Sequence, residues 1–161
     1  MTRQQFTLYV ESYQKAVRRF LTALCCGDSS LADDLAQDTF VKAYLSCDGF
    51  REDSKFTTWI YRIAYNTFIS HRRSSRSTVS LIEASTYTSL SEADGSFRYQ
   101  ALYAALDRLG DKERAAILLF YMQGYSVAEI ADISHQSTEA VKQQLSRGRK
   151  HVKQFLDYEA E

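Results

Sequence analysis

Five cations, Lys142, Arg147, Arg149, Lys150 and Lys153, fall between positions 142 and 153 with no carboxylate among them, and Gln143 and Gln144 sit in the same run. Cations neutralise phosphates, whereas glutamine and arginine form paired hydrogen bonds to base edges in a major groove. At 100° per residue, Gln143, Ser146, Arg147 and Lys150 share one side of a helix, flanked by Lys142, Arg149 and Lys153. The opposite side is an apolar stripe, Val141, Leu145, Gly148, Val152 and Phe155. A second basic cluster, His71, Arg72, Arg73 and Arg76, closes the first half, while acids gather at Asp28, Asp33, Asp34 and Asp38. The formal net charge is zero, 20 basic against 20 acidic side chains. That sum hides two basic surfaces and one acidic surface, each suited to a different partner.

Catalytic chemistry has few residues to carry it. None of His71, His135 and His151 has a second histidine or a cysteine four residues away to make a metal pair, and neither a glycine-rich phosphate loop nor a nucleophile elbow occurs. Asp33, Asp34 and Asp38 read as a solvated or partner-facing helix in preference to a cation site. The three cysteines, Cys25, Cys26 and Cys47, are odd in number and lack CxxC spacing, which argues against a zinc knuckle or a disulfide frame. No cofactor or small-molecule substrate is expected. With no apolar run of spanning length and no signal-peptide layout at the start, the expectation is a cytoplasmic protein without membrane insertion.

The elements that must position these groups are helical. The 161 residues include no proline and only six glycines, too few for the tight turns of a sheet-rich fold. Apolar spacing predicts a helix over 3–26, and Ser30 to Asp33 has the form of a capping box for a second helix. A third helix, roughly 55–72, carries Phe56, Trp59, Ile60, Ile63, Ala64 and Thr67 on one face and Tyr61, Tyr65 and Phe68 on another. Lys55, Arg62 and Asn66 lie along its polar side. A helix aromatic on two faces contacts more than one thing, and the sequence leaves open whether the second aromatic strip is core or an interaction surface. Residues 74–97 are rich in serine and threonine without a sustained apolar period, which predicts a flexible linker. Beyond it, Leu102, Ala105, Leu106 and Leu109 mark a helix ended by Gly110, with Asp111 as the expected cap of the next. Ile117, Leu118, Tyr121 and Met122 are expected to continue the core. Ser126-Val-Ala-Glu129 predicts a capped short helix, followed by a polar turn and a long basic helix from about Ser137. The short helix, turn and basic helix make a helix-turn-helix. The expected fold is all-α: two small helical domains, 1–73 and 98–158, joined by the flexible linker 74–97.

Ala-Asp-Asp-Leu-Ala-Gln-Asp-Thr-Phe-Val-Lys-Ala-Tyr (32–44), Phe50-Arg51 and Lys55-Phe-Thr-Thr-Trp-Ile-Tyr-Arg-Ile-Ala-Tyr-Asn66 resemble region 2 of the bacterial extracytoplasmic-function sigma factors. Asp-Lys-Glu-Arg (111–114), Ser-Val-Ala-Glu-Ile-Ala (126–131) and Val-Lys-Gln-Gln-Leu-Ser-Arg-Gly-Arg-Lys (141–150) resemble their region 4. The resemblance implies that the chain is no enzyme but directs core RNA polymerase to promoters and helps to melt them. It implies that Asp34, Gln37, Asp38 and Phe40 dock on polymerase. Phe50, Arg51, Lys55, Arg62 and Asn66, with the basic cluster His71, Arg72 and Arg73, would engage the minus-ten element. Lys142, Gln143, Gln144, Ser146, Arg147 and Lys150 would engage the minus-thirty-five element. Extruding a base from the minus-ten element costs a few kcal/mol, which contacts to the single strand must offset. An anti-sigma factor is a further partner that such families employ. Two other functions compete: a DNA-binding regulator that works without polymerase, and a sigma-like interaction module that does not transcribe. The acidic helix at 33–38 and the aromatic helix at 55–68 argue against the first, since a repressor needs neither.

Overall fold

A computed structural model describes residues 1–50, 55–78 and 96–160 of the chain, and every regular element among them is helical. Helix α1 (Arg3–Leu24) begins behind Thr2 in a reciprocal capping box: the Gln5 amide donates to the Thr2 hydroxyl, and the Thr2 amide donates to the Gln5 side chain. It ends where Cys26 and Gly27 turn left-handed, at φ 54° and 93°. Gly27 has no room for a side chain, because a Cβ there would lie 2.9 Å from the Tyr103 ring.

Helix α2 (Ser29–Ser46) starts earlier than the sequence suggests. Its cap is Asp28, whose carboxylate accepts from the Leu31 amide at 3.1 Å, so the box expected at Ser30 does not form. A carboxylate at that position satisfies an orphan amide and also complements the helix dipole. Helix α3 (Phe56–Thr78) runs past the expected end near 72, so residues 74–78, read from sequence as the start of the linker, are helical. The remainder of that linker, apart from its last two residues, lies outside the described residues, as does Arg51.

The three helices close around Val17, Phe20, Leu21, Leu24, Ala36, Ala43, Ile60 and Ala64, all fully buried. At one end Phe56 stacks on Tyr9 with ring centroids 4.3 Å apart, and Phe50 packs on Trp59 at 5.0 Å. The second unit comprises α4 (Ser96–Asp107), α5 (Asp111–Ile117), α6 (Val127–Ser134) and α7 (Thr138–Ala160). The cap of α5 is Gly110, not Asp111, whose carboxylate is engaged by Arg72 and Arg114 instead. Directly after α5, residues Leu118–Met122 form a π-helical turn, with the Gln123 amide donating back to the Leu118 carbonyl. The wider turn shifts the register of the faces. Leu119 becomes fully buried, whereas Tyr121 and Met122, expected in the core from a 3.6-residue period, are exposed.

The two units are not apart. One continuous core runs through both, and α3 packs along α6 while α1 touches α4 and α5. Tyr61, Tyr65 and Phe68 are all buried, at 2%, 4% and 1% exposure, which decides the question left open by the sequence. The second aromatic strip of α3 is core, and for Tyr61 the cover is the second unit of the same chain. Tyr61 meets Phe20 edge-on at 5.2 Å and Tyr125 at 5.6 Å, and its hydroxyl donates to Gln123 Oε1 at 2.8 Å. Burial, then the neighbouring Tyr125 and Tyr13 hydroxyls, raise the pKa of Tyr61 well above the ordinary phenol range, so it stays a donor. Arg114 locks the same seam. It is 3% exposed, and its guanidinium donates to the carbonyls of Leu106, Leu109 and, across the seam, Leu24. Near that contact, burial pushes the Cys25 thiol up to about 12 and the Cys26 thiol up to about 11, so both are protonated at neutral pH.

Candidate nucleic-acid interface

Helix α6 is held at its start by a full capping box: the Glu129 amide donates to the Ser126 hydroxyl, and the Ser126 amide donates to the Glu129 carboxylate. Those bonds, and then Lys55 opposite, hold the Glu129 carboxyl below the usual carboxylate range. At its other end His135 adopts a left-handed conformation, φ 53° and ψ 46°, and the Gln136 amide reaches back to the Ala131 carbonyl. This is the reversal that a glycine usually supplies. It turns the chain sharply into α7, where Val141 and Leu145 bury and Gly148 lies against Ile117. A Cβ on Gly148 would sit 2.7 Å from Ile117 Cγ1, so the missing side chain sets how closely α7 approaches α5.

With that stripe inward, the opposite face of α7 is outward. Lys142, Gln143, Ser146, Arg147 and Lys150 are all exposed, and Lys142 makes only a 3.6 Å surface pair with Glu139. Gln144 is different: half-buried, it donates its amide to Gln136 in the turn, and its own Oε1 is buried without a protein partner. Lys55, just before α3, and Asn66 and Arg73 on it are exposed, and His71 is half-buried with Ser75 Oγ 3.3 Å from its Nε2. Arg62 pairs with Asp132 at 2.8 Å, and Arg72 donates to Asp111 at 3.2 Å. On α2, Asp34, Gln37 and Asp38 are exposed, while Phe40 is partly buried against the core. Phe50 belongs to the aromatic cluster around Phe56 and Trp59. No group of three or more possible metal ligands occurs among the described residues.

Acidic α2, basic α3 and basic-polar α7 therefore coexist on one compact body, and comparison with known families decides what kind of protein this is. Residues 9–78 match the Sigma-70 region 2 model and residues 99–152 match the Sigma-70, region 4 model. The ECF RNA polymerase sigma factor SigW of Bacillus subtilis is 32% identical, over 81% of this chain and 78% of its own length. The ECF RNA polymerase sigma-E factor of Escherichia coli K12 is 32% identical, over 91% and 84%. The chain belongs to the extracytoplasmic-function sigma factor family.

Among solved structures, the sigma factor RpoE of Bartonella quintana, in complex with the anti-sigma factor NepR, superposes with a TM-score of 0.77 at 27% identity, covering 96% of this chain and 98% of its own. CnrH, in complex with the cytosolic domain of CnrY, shares the fold at a TM-score of 0.73 and 24% identity. As a sigma factor the chain directs core RNA polymerase to promoters and is not itself an enzyme, so polymerase and promoter DNA are its partners. No helix among the described residues is long and apolar enough to cross a membrane.

In this sigma factor the α7 residues singled out from sequence share one open face, apart from Gln144. The α3 residues do not form an open face. Of the residues at the seam, Asp111 and Arg114 belong to the 111–114 motif while Gln123, Tyr125 and Asp132 belong to none, and for all five sequence reasoning does not reach their role at the seam. The one sequence signal pointing to them is the second aromatic strip of α3, which requires a cover.

Proposed function

We propose that the three faces divide the work of initiation. Asp34, Gln37 and Asp38 on α2, backed by Phe40, bind the core polymerase through an acidic patch. Phe50, Arg51, Lys55, Arg62 and Asn66, with His71, Arg72 and Arg73, hold the minus-ten element, with Asn66 reading an extruded base. Lys142, Gln143, Ser146, Arg147 and Lys150 enter the major groove of the minus-thirty-five element, where Gln144 fixes the turn from within. The observation that supports this reading best is the exposed face of α7, in which Gln143 and Ser146 lie among the cations Lys142, Arg147 and Lys150 behind a capped helix and a tight left-handed turn. The protein works where polymerase works, in the cytoplasm, and an anti-sigma factor is a further partner, as one is for the superposed RpoE.

The test is capture of core polymerase by the full chain, followed by run-off transcription across genomic promoter fragments. Factor-dependent transcripts are expected, and their start sites deliver the promoter motif. Asn66→Ala should impair promoter opening while leaving capture of core polymerase unchanged. Equal loss of both would refute the assignment of Asn66.

A further inference from the structure

Two glutamines meet where α6 turns into α7. The backbone of Gln136 is fixed: behind the left-handed His135 its amide donates to the Ala131 carbonyl at 3.0 Å, and the next residue, Ser137, accepts from the Ala140 amide at 3.1 Å. The half-buried Gln136 side chain accepts at Oε1 from Nε2 of Gln144 on α7. Gln144 Oε1 is itself buried without a partner in the protein. A glutamine amide has one carbonyl and two N–H donors. Turning the pair around would bury two donors of Gln144 where one carbonyl is now buried, and unmade buried donors are the costlier loss. The pair is therefore fixed head to tail: Gln144 supplies a donor, Gln136 supplies its carbonyl, and Gln136 Nε2 is left over. That nitrogen is open to solvent and has no acceptor among the described residues.

We infer that Gln136 is a DNA-contacting residue of the minus-thirty-five site, donating from Nε2 to a backbone phosphate, and that Gln144 is the residue that positions it. The inference rests on the reading of α7 as the minus-thirty-five helix. With α7 in the major groove, its exposed face from Lys142 onward meets the bases, while the turn that leads into it stands at the edge of the groove, beside the sugar-phosphate backbone. The acceptor there is an anionic phosphate oxygen, and a bond to a charged acceptor is stronger than one to a neutral group. Gln144 then reads nothing itself: half-buried behind the turn, it holds the Gln136 amide with its donors toward DNA. A neutral donor of this kind sets register and affinity, carries no sequence information and displaces no counterion.

The test uses the full chain assembled with core polymerase and a fluorescein-labelled promoter duplex mapped by run-off transcription, read by anisotropy. Gln136→Ala should weaken binding roughly ten-fold, the low end for a hydrogen bond to a charged group, with the log-log salt slope of wild type. Gln144→Met keeps the volume and removes the donor that orients Gln136. It should weaken binding less than Gln136→Ala does, and the double variant should bind no more weakly than Gln136→Ala alone. Additive losses would mean that Gln144 does not act through Gln136 and would overturn its positioning role. Gln136→Glu keeps an acceptor for Gln144, so the turn stays tied, but offers the phosphate a charge of the wrong sign. It should bind more weakly than Gln136→Ala; tighter binding would reduce Gln136 to a tie within the turn and overturn the inference. Single methylphosphonates placed along the minus-thirty-five element should reveal one phosphate whose neutralisation weakens wild type but not Gln136→Ala, and the absence of such a position would also overturn it. Binding by Gln136→Ala within about two-fold of wild type would do the same, and Arg147→Ala measured beside it separates the two levels. If Arg147→Ala weakens binding, the reading of α7 stands and only the Gln136 assignment falls; if neither variant matters, the reading of α7 falls with it.

Discussion

Arg114 offers the sharpest test of how the two units are joined. Its guanidinium donates at 2.8 Å to the Leu106 carbonyl, 2.8 Å to Leu24 and 3.0 Å to Leu109, with Asp111 Oδ1 at 3.7 Å as its counter-charge. The helix ends it serves, those of α4 and α1, have carbonyls with no intrahelical partner of their own. Replacing Arg114 by Met keeps most of the volume, so cavity formation contributes little. The variant gives up three charge-assisted bonds: the Leu24 and Leu109 carbonyls lose their charged donor, while the Leu106 carbonyl keeps the Leu109 amide and Asp111 keeps Arg72. Breaking one side of such a buried arrangement typically costs about 3–5 kcal/mol. For a chain of this length that corresponds to a fall in melting temperature of roughly 10 °C. Arg114→Lys, which keeps the charge but replaces a planar fork by a single point, should lose about half as much. Differential scanning calorimetry measures both. Wild type should melt in one transition, because the Leu24 bond and the shared core couple the units. A shift of Arg114→Met within about 2 °C, the range of an ordinary surface substitution, would refute the reasoning.

Gly148→Ala should destabilise the chain by roughly 1 kcal/mol, since overpacking against Ile117 at 2.7 Å outweighs the helix propensity gained. Ile117→Val should recover part of that loss in the double variant, and strictly additive unfolding energies would show that the two do not touch. Glu129 has its carboxyl pKa lowered by the Ser126 bonds and Lys55, so its stabilisation is present above the ordinary carboxylate range and disappears as pH falls through the lowered folded value. Urea midpoints measured from neutral to acid pH should therefore decline less steeply in Glu129→Gln, and parallel curves would contradict this. Replacing Arg147 and Lys150 by Ala should reduce the log-log salt slope of upstream promoter binding by about 0.9 for each phosphate no longer neutralised. An unchanged slope in a titration by anisotropy would mean that neither cation reaches the backbone.

Much of the architecture is legible because it is local. The Ser126–Glu129 box, the inner stripe of α7 and the stop at Gly27 depend on neighbours within a few residues, and periodicity or capping chemistry exposes them. Sequence alone misplaces the start of α2 because Asp28 and Ser30 are both competent caps, and only the chain's path after Gly27 selects Asp28. It misplaces Tyr121 and Met122 for a different reason: a π-helical turn changes the period itself, so a 100° wheel assigns the wrong faces beyond it. For the candidate site, residue types mark α2 as acidic, α3 as basic along one side and α7 as basic and polar. They do not mark the pairing of Arg62 with Asp132 or Arg72 with Asp111, because a partner 70 or 39 positions away leaves no trace in local spacing. Tyr61 shows the boundary well. Its spacing says that it is covered, and nothing in its vicinity says by what.

Chain length alone constrains how a closed sigma factor could serve two promoter elements. Residues 79–95 join α3 to α4, and that stretch spans at most about 60 Å when fully extended. Elements centred about 25 base pairs apart are separated by roughly 85 Å along the duplex, at 3.4 Å per step. The remainder must come from the bodies of the two units, each reaching outward from its end of the tether. Closed, α6 lies against α3 and Tyr61 against Tyr125, so the α3 and α7 faces proposed to read the two elements are held within one compact body and cannot span that distance. Engagement of both elements therefore requires that the Tyr61–Gln123, Arg62–Asp132 and Arg114–Leu24 contacts all part. Polymerase and promoter can drive that change only by binding the open form more tightly than the closed one. The exposed α2 acids supply such a preference only if polymerase also takes up the second unit. One surface bound equally well in both forms shifts nothing.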